Sequence, residues 1–346
     1  MRFLHSRYGD VAGRRPRPRG GGRPGRGCLR ARRQPVPLHR VPALLAAAST
    51  LTLSSPALSV PALVGPWASA GFARPATIEE AVVLLGSERC AVLAGGTDLL
   101  VNGRPDGSLL VDLGAIRSVA EVREDGDMIR IGATATYTDL AGSDLVTAWC
   151  DPLRDAALEI GGRQIQNQGT IGGNVANASP AGDTLPVLAV LDATVELSSA
   201  RGIRTVPIDQ FCTGPGATVR RPDELITAIV VPKRPRDDVA FFVKVGPRRA
   251  QAISIASVAV RAQRRGDRLG AVRLSYGAVS PVVARDRAVE AVLESAPLTP
   301  DLVRAAAATS SATPITDVRA TASYRRRLLA GTLLRGFSDG GPLGDT

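Results

Sequence analysis

Hydrophobic and polar positions after residue 70 alternate between helical and strand spacing, and the changes of period mark out the elements. Thr77 precedes an amphipathic stretch over 78–85, with Glu80 three residues on, so a capping box is expected and Gly86 should end the helix. Short apolar runs at 90–93 and 109–113 read as buried strands, giving a compact βαβ-type lobe. Residues 128–133 form another strand, and Thr138 is expected to cap a helix over 139–145. A helix follows over 151–160, ended by Gly161-Gly162. The apolar run 185–191 should anchor the preceding loop to a core. Residues 194–197 and 203–206 flank a turn and read as an antiparallel hairpin; 223–232 is a strand after a turn at Arg221-Pro222. Runs at 240–245, 252–260 and 272–279 predict a three-stranded antiparallel sheet. Helices over 286–293 and 300–308 should cover one face of it. The last helix, 320–337, carries Tyr324, Leu328, Leu329 and Leu333 on or near one face and its arginines on a solvated or subunit-facing side.

Two glycine pairs interrupt this pattern. In the first, Val92-Leu93-Ala94-Gly95-Gly96-Thr97-Asp98-Leu99, a strand runs into a turn that offers backbone N–H groups and the Thr97 hydroxyl. In the second, Thr170-Ile171-Gly172-Gly173-Asn174, adjacent glycines permit positive φ and close approach of a ligand to the backbone. Thr170 and Asn174 flank that turn as side-chain donors, and Ser179 and Asp183 follow. A carboxylate beside a phosphate-binding turn suits a sugar hydroxyl better than the phosphate, which it repels. Either pair alone also reads as an ordinary turn. Together they could grip both phosphates of a dinucleotide. Neither is GxGxxG in a strand–helix unit with an acidic residue downstream, so the Rossmann fingerprint is not met.

The strings AGGTDLL at 94–100 and TIGGN at 170–174, followed by ANASPAGD, resemble the flavin-binding medium subunit of the molybdenum hydroxylases. That group includes bacterial xanthine dehydrogenases, carbon monoxide dehydrogenases and related aldehyde and N-heterocycle dehydrogenases. The resemblance runs from about Gly71 to the C-terminus, where YRRRLLAGTLLR is also similar. It implies an α+β fold: a two-lobed flavin-binding domain of PCMH type over 71–236, with lobes of about 71–125 and 126–236. A C-terminal flavoprotein domain over 237–346, a small three-stranded antiparallel sheet with a helical bundle, would follow. It places a loop or turn over 207–212. It adds Ile160 and Asn177 to the FAD-contacting residues and sets Ile226, or its neighbour Leu225, against the flavin ring. It gives Lys244 a hydrogen bond to a flavin carbonyl, where a cation stabilises negative charge on the reduced ring. The residue-level readings remain sheet core for Ile226 and a lysine reaching past a domain edge for Lys244. Some relatives with this fold link flavin covalently through histidine or shield one flavin face with an aromatic residue. The corresponding stretch here, 249–253, has no aromatic residue, which leaves access by NAD, quinone or oxygen open.

Charge sharpens the domain picture. The net charge is +11, from 43 basic and 32 acidic residues. Residues 1–70 hold twelve arginines and one acid, Asp10, so the remaining chain balances 31 against 31. Both histidines, His5 and His39, also fall in that first part. Its first 40 residues, rich in Arg, Gly and Pro, are too polar to fold alone. Residues 41–70 are apolar but cut by prolines, which argues against a membrane span. An Arg-rich start, an apolar stretch and Ala68-Ser69-Ala70 match parts of an export signal, but the basic region is too long and the cleavage-like site too distant. We therefore read 1–70 as a disordered basic extension outside the fold, added or wrongly assigned, and the protein as cytoplasmic, with export by an N-terminal signal left open. No fold or aromatic platform supports nucleic-acid binding.

A body without histidine admits no Ser–His–Asp triad and no histidyl–flavin bond. Cys28, Cys90, Cys150 and Cys212 form no CxxC pair, so a zinc or iron–sulfur site in this chain is not expected. The resemblance then implies non-covalent FAD and no catalytic residue. It implies a large molybdopterin-binding subunit, where substrate is oxidised, a small [2Fe-2S] subunit that delivers electrons, and an external acceptor such as NAD or quinone. Two other classes stay open on the residues: a stand-alone flavin oxidoreductase of the same broad fold, and a binding protein acting through the basic tail.

Overall fold

Strand Phe72–Ala73 (β1) opens the part of the chain that the computed structural model describes, namely residues 71–102, 108–234, 238–339 and 342–343. The expectations for residues 1–70, with Cys28 and both histidines, lie outside the described residues. Helix Ile78–Ser87 (α1) follows. The Thr77 hydroxyl accepts from the Glu80 N–H at 3.2 Å, while the Glu80 carboxylate accepts from Ala76 rather than from Thr77. The cap is present, but the reciprocal arm lands one residue early. Gly86 lies inside the helix, which continues to Ser87. Cys90–Leu93 (β2), the short helix Leu99–Asn102 (α2) and Leu109–Asp112 (β3) complete the first lobe. Its three strands are parallel, in the order β1-β3-β2. Ala81, Val82 and Leu85 form one stripe of α1 and pack on Val111, Leu113 and Leu225.

Val122–Asp125 (β4) and Met128–Gly132 (β5) pair antiparallel across the expected lobe boundary at 125/126. Helices Tyr137–Gly142 (α3), Asp144–Trp149 (α4), Asp151–Glu159 (α5), Arg163–Gln166 (α6), Ile171–Asn177 (α7) and Thr184–Val190 (α8) follow. The hairpin is Thr194–Ser199 (β6) with Gly202–Pro207 (β7). Next come the short helix Ile208–Phe211 (α9), the small pair Cys212–Gly214 (β8) and Ala217–Thr218 (β9), and the long strand Leu225–Pro232 (β10). The main sheet runs β4-β5-β10-β6-β7, every neighbour antiparallel. Ile229 lies opposite Ile131 on one side and Val195 on the other, and all three are buried. Every residue of α8 is buried, as expected of a helix apolar all round.

Three local expectations fail here. The helix near 139 is capped by Thr136, not Thr138. Thr136 and Asp139 form a reciprocal box, and Thr138 instead donates to the Asn167 side chain at 2.6 Å. Ser143 then caps α4, splitting the expected helix in two. Residues 208–211 are a helix turn rather than a loop, held by burial of Ile208 and Phe211. The TIGGN segment is not an open turn but the start of α7, with Thr170 as its cap.

The C-terminal part is the antiparallel sheet Asp238–Val245 (β11), Ala256–Arg265 (β12) and Arg268–Gly277 (β13), in that order. The second strand starts four residues later than its apolar run and extends to Arg265. Backbone pairing continues through polar residues up to the turn at Gly266, because a ladder needs no apolar side chain. Helices Arg287–Ser295 (α10), Pro300–Ala308 (α11) and Ala322–Ser338 (α12) supply Val289, Leu293, Val303, Leu329, Leu333 and Phe337 to its core. Tyr324 is exposed and off that face. Arg325 overturns the expectation of a solvated arginine face. It is fully buried and donates to Asp317 at 2.7 Å and to the Ile315 carbonyl at 2.9 Å. Among the described residues no helix is long and apolar enough to cross a membrane.

Candidate functional site

The chain leaves β2 at Ala94 and turns through Gly95 and Gly96. Gly96 has a φ of 71°, the left-handed backbone expected of the other glycine pair, where neither glycine adopts it. Gly95 meets the other loop: a Cβ on it would lie 1.7 Å from the Gln168 carbonyl oxygen. Only a residue without a side chain lets these backbones approach so closely. The backbone N–H groups of Gly95, Gly96, Thr97 and Asp98 donate to no acceptor among the described residues. Asp98 is exposed and accepts from the Asn177 amide at 3.3 Å.

The second pair differs. Gly172 and Gly173 sit in the first turn of α7, outside the positive-φ set. A Cβ on Gly172 would stand 2.6 Å from the Ala133 carbonyl, so this glycine serves packing of helix on strand end. The amides here are already committed. Ile171 donates to Ala135, Gly172 to Ala133, Gly173 to the Thr170 hydroxyl and Asn174 to the Thr170 carbonyl. Open backbone donors like those of the first loop are therefore absent from Ile171 to Asn174. Thr170 acts as acceptor for its own helix, and the Asn174 carbonyl oxygen accepts from Thr184 at 2.6 Å.

Both loops nonetheless line one cavity of about 410 Å³. Of the residues singled out in the sequence, Val92, Ala94, Gly95, Gly96, Thr97, Asp98, Leu99, Thr170, Gly172, Gly173, Asn174, Asn177 and Ile226 face it. Leu93, Ile160, Ile171, Ser179, Asp183 and Lys244 are not part of its lining. Ile171 is buried core, and the Ser179 hydroxyl accepts from the Ala181 N–H. Leu85, Leu113, Tyr137, Arg220, Glu224 and Leu225 also line the cavity and were not singled out for contact with the dinucleotide, apart from Leu225 as Ile226's alternate. Nothing local marks Tyr137; Arg220 and Glu224 stand in a charged turn that reads as surface.

Asp183 and Lys244 form a second, buried cluster. Lys244 Nζ donates to Asp183 Oδ2 at 2.6 Å and to the Glu159 carbonyl at 2.8 Å, beside Ile160. Ser254 hydrogen-bonds the other Asp183 oxygen. Burial raises the Asp183 carboxyl above its ordinary range, against the pull of Lys244 and Ser254. Asp183 is thus held by a lysine and a serine within the protein, rather than standing open to a sugar hydroxyl. Tyr137 lies between the two groups of residues. Its hydroxyl bonds Asn174, and burial, with smaller contributions from Asp98 and Asp183, raises its phenol. Cys90, Cys150 and Cys212 are free thiols, and burial pushes Cys150 up to about 12. Among the described residues no cluster of His, Cys, Asp and Glu could hold a metal ion.

The donor set suits a dinucleotide. Open amides at a tight turn bind anionic oxygens, Leu85, Val92, Leu113 and Ile226 give apolar walls, and the size falls within the usual range for small-molecule sites. Comparison with known proteins agrees. Residues 68–234 match the family described as the FAD binding domain in molybdopterin dehydrogenase, and residues 241–339 match the CO dehydrogenase flavoprotein C-terminal domain. The chain is 32% identical to the nicotine 6-hydroxylase medium subunit of Paenarthrobacter nicotinovorans, over 78% of this chain and 96% of that one. It is 31% identical to the xanthine dehydrogenase FAD-binding subunit of Escherichia coli O157:H7, over 75% and 92%. Among solved structures, a carbon monoxide dehydrogenase from Hydrogenophaga pseudoflava superposes with a TM-score of 0.74 at 30% identity, covering 77% of this chain and 95% of that chain. With the two Gly-Gly loops facing one cavity and both halves of the body matched, the chain belongs to the FAD-binding medium subunits of the molybdopterin dehydrogenases, a family of oxidoreductase flavoproteins.

Proposed function

We propose that this chain holds FAD non-covalently in the cavity between its two glycine loops, takes electrons from the [2Fe-2S] clusters of a small partner subunit, and passes them to an external acceptor. Substrate would be oxidised on a separate large molybdopterin-binding subunit. The observation that carries the reading is the run of four open amides, Gly95 to Asp98, in a loop that lines the same cavity as Gly172-Gly173. Bound flavin supplies the redox chemistry, accepting electrons singly or in pairs. The protein's part is to bind and orient. The amides from Gly95 to Asp98 would hold the diphosphate, Ile226 and Val92 would flank the ring, and Asn177 would be fixed by Asp98. Lys244, steadied by Asp183 and the Glu159 carbonyl, would act on the ring from outside the cavity lining as a fixed positive charge. The free thiols fit a reducing compartment such as the cytoplasm.

The test is direct. Full-length protein purified with FAD should be yellow, with one flavin per chain. It should co-purify with a molybdopterin chain and a cysteine-rich chain when the three are expressed together. A colourless protein that takes up no FAD would sink the reading. Turnover of an organic substrate by the isolated chain would favour a stand-alone flavin oxidoreductase instead.

A further inference from the structure

The turn between β9 and β10 carries an imbalance of charge. Arg201, Arg204, Arg220 and Arg221 surround two carboxylates, Asp223 and Glu224. Asp223 is taken by both terminal guanidinium nitrogens, Nη1 and Nη2, of Arg201. Glu224, 2% exposed at its side chain, accepts two bonds from Arg204, at 2.6 and 2.8 Å, and one from the Arg221 N–H at 2.7 Å. No carboxylate among the described residues pairs with Arg220. Arg220 is also the one arginine of the four that lines the cavity. Its Nη1 is tied to two backbone oxygens, Arg221 at 3.1 Å and Glu224 at 2.7 Å, which fixes the plane of the guanidinium. Nε and Nη2 have no acceptor among the described residues.

Burial lowers the proton affinity of this guanidinium, yet an arginine does not give up its proton in a protein. Asp223 and Glu224 act on it only across space, being bonded to Arg201 and Arg204, so this desolvated cation has no carboxylate in contact; that is costly, and one anionic oxygen within reach relieves the cost. The planar fork, already held on one side, is suited to such an oxygen. We propose that Arg220 is a ligand-binding residue of the cavity and pairs with an anionic oxygen of the bound dinucleotide. This rests on the FAD reading above. Two parts of the same ligand carry such oxygens: the diphosphate, and the ring once reduction has made it negative.

The experiment compares full-length wild type with Arg220→Leu and Arg220→Lys, measuring binding of FAD and of ADP across a salt series, and the potential of the bound flavin. If Arg220 holds the diphosphate, Arg220→Leu weakens FAD and ADP alike by at least tenfold, and its binding depends less steeply on salt. If it faces the ring, ADP and oxidised FAD bind as before, reduced FAD binds at least tenfold more weakly, and the potential falls by about 30 mV for the two-electron couple. In either case Arg220→Lys, which keeps the charge and loses the fork, recovers part of the loss. The inference is overturned if oxidised FAD, reduced FAD and ADP all bind Arg220→Leu as they bind wild type. Wild type that binds no FAD overturns the FAD reading and this inference together, a result distinct from an Arg220 variant that behaves normally.

Discussion

Gly95-Gly96 and Gly172-Gly173 line one cavity, but their amides differ. Those of the first loop are open, and those of the second are bound to Ala133, Ala135 and Thr170. Their carboxylates differ in parallel, since Asp98 is exposed while Asp183 is buried with Lys244. A glycine pair therefore has two physical uses here. One leaves backbone donors facing a ligand, and the other brings a helix down onto a strand end. The first loop should govern cofactor affinity and the second should bear on folding alone.

The carboxylates give the largest contrast. Asp183→Asn takes the hydrogen-bonding carboxylate away from Lys244 and Ser254, both buried, and should cost about 1–3 kcal/mol in denaturant unfolding. Asp98→Asn should cost less than about 0.5 kcal/mol. Equal losses would erase the distinction. The glycines come next. Gly172→Ala forces a methyl against the Ala133 carbonyl and should destabilise by about 1–3 kcal/mol. Gly95→Ala drives a methyl into the Gln168 backbone, a closer clash than at Gly172, so it should destabilise at least as much and in addition lower FAD affinity by about tenfold or more, about 1–2 kcal/mol of binding. The threonines sharpen the same line. Thr170→Ala removes a helix cap worth about 1 kcal/mol of stability with FAD affinity little changed, whereas Thr97→Ala should show the reverse.

The smallest effect is on acid stability. The hydrogen-bonded Arg130 guanidinium holds the Glu196 carboxyl below its ordinary value of 4.5, and Arg204 does the same for Glu224. A lowered folded-state value means stability that is present above pH 4.5 and lost as pH falls below it through the folded value. Asp183 has the opposite sign. Its raised value means that it takes up a proton in the folded state before the unfolded chain does, so it does not add to acid unfolding. Glu196→Gln should flatten the acid limb of a stability–pH curve slightly, and Asp183→Asn should not.

Much of this was legible in the sequence. The parallel first lobe, the hairpin at 194–206 and the three-stranded sheet follow from apolar period and turn residues, which act over a few positions. The two glycine loops were visible as candidates for one site. Arg325 was misread because helical spacing cannot show that Asp317, outside the helix, reaches back to it. Thr136 and Thr138 are both threonines at the start of the same helical stretch, and only the reciprocal bond with Asp139 decides between them.

The sequence by itself determined which residues are apolar, where the backbone is free to turn, and that a histidine-free body admits neither a Ser–His–Asp triad nor a histidyl–flavin bond. The tertiary structure decided which glycine amides remain available, that Lys244 is locked to Asp183, and that Arg220 from a charged turn reaches a cavity. The reason is that hydrogen-bond commitment and desolvation depend on partners far along the chain, and no local pattern of residues carries that information.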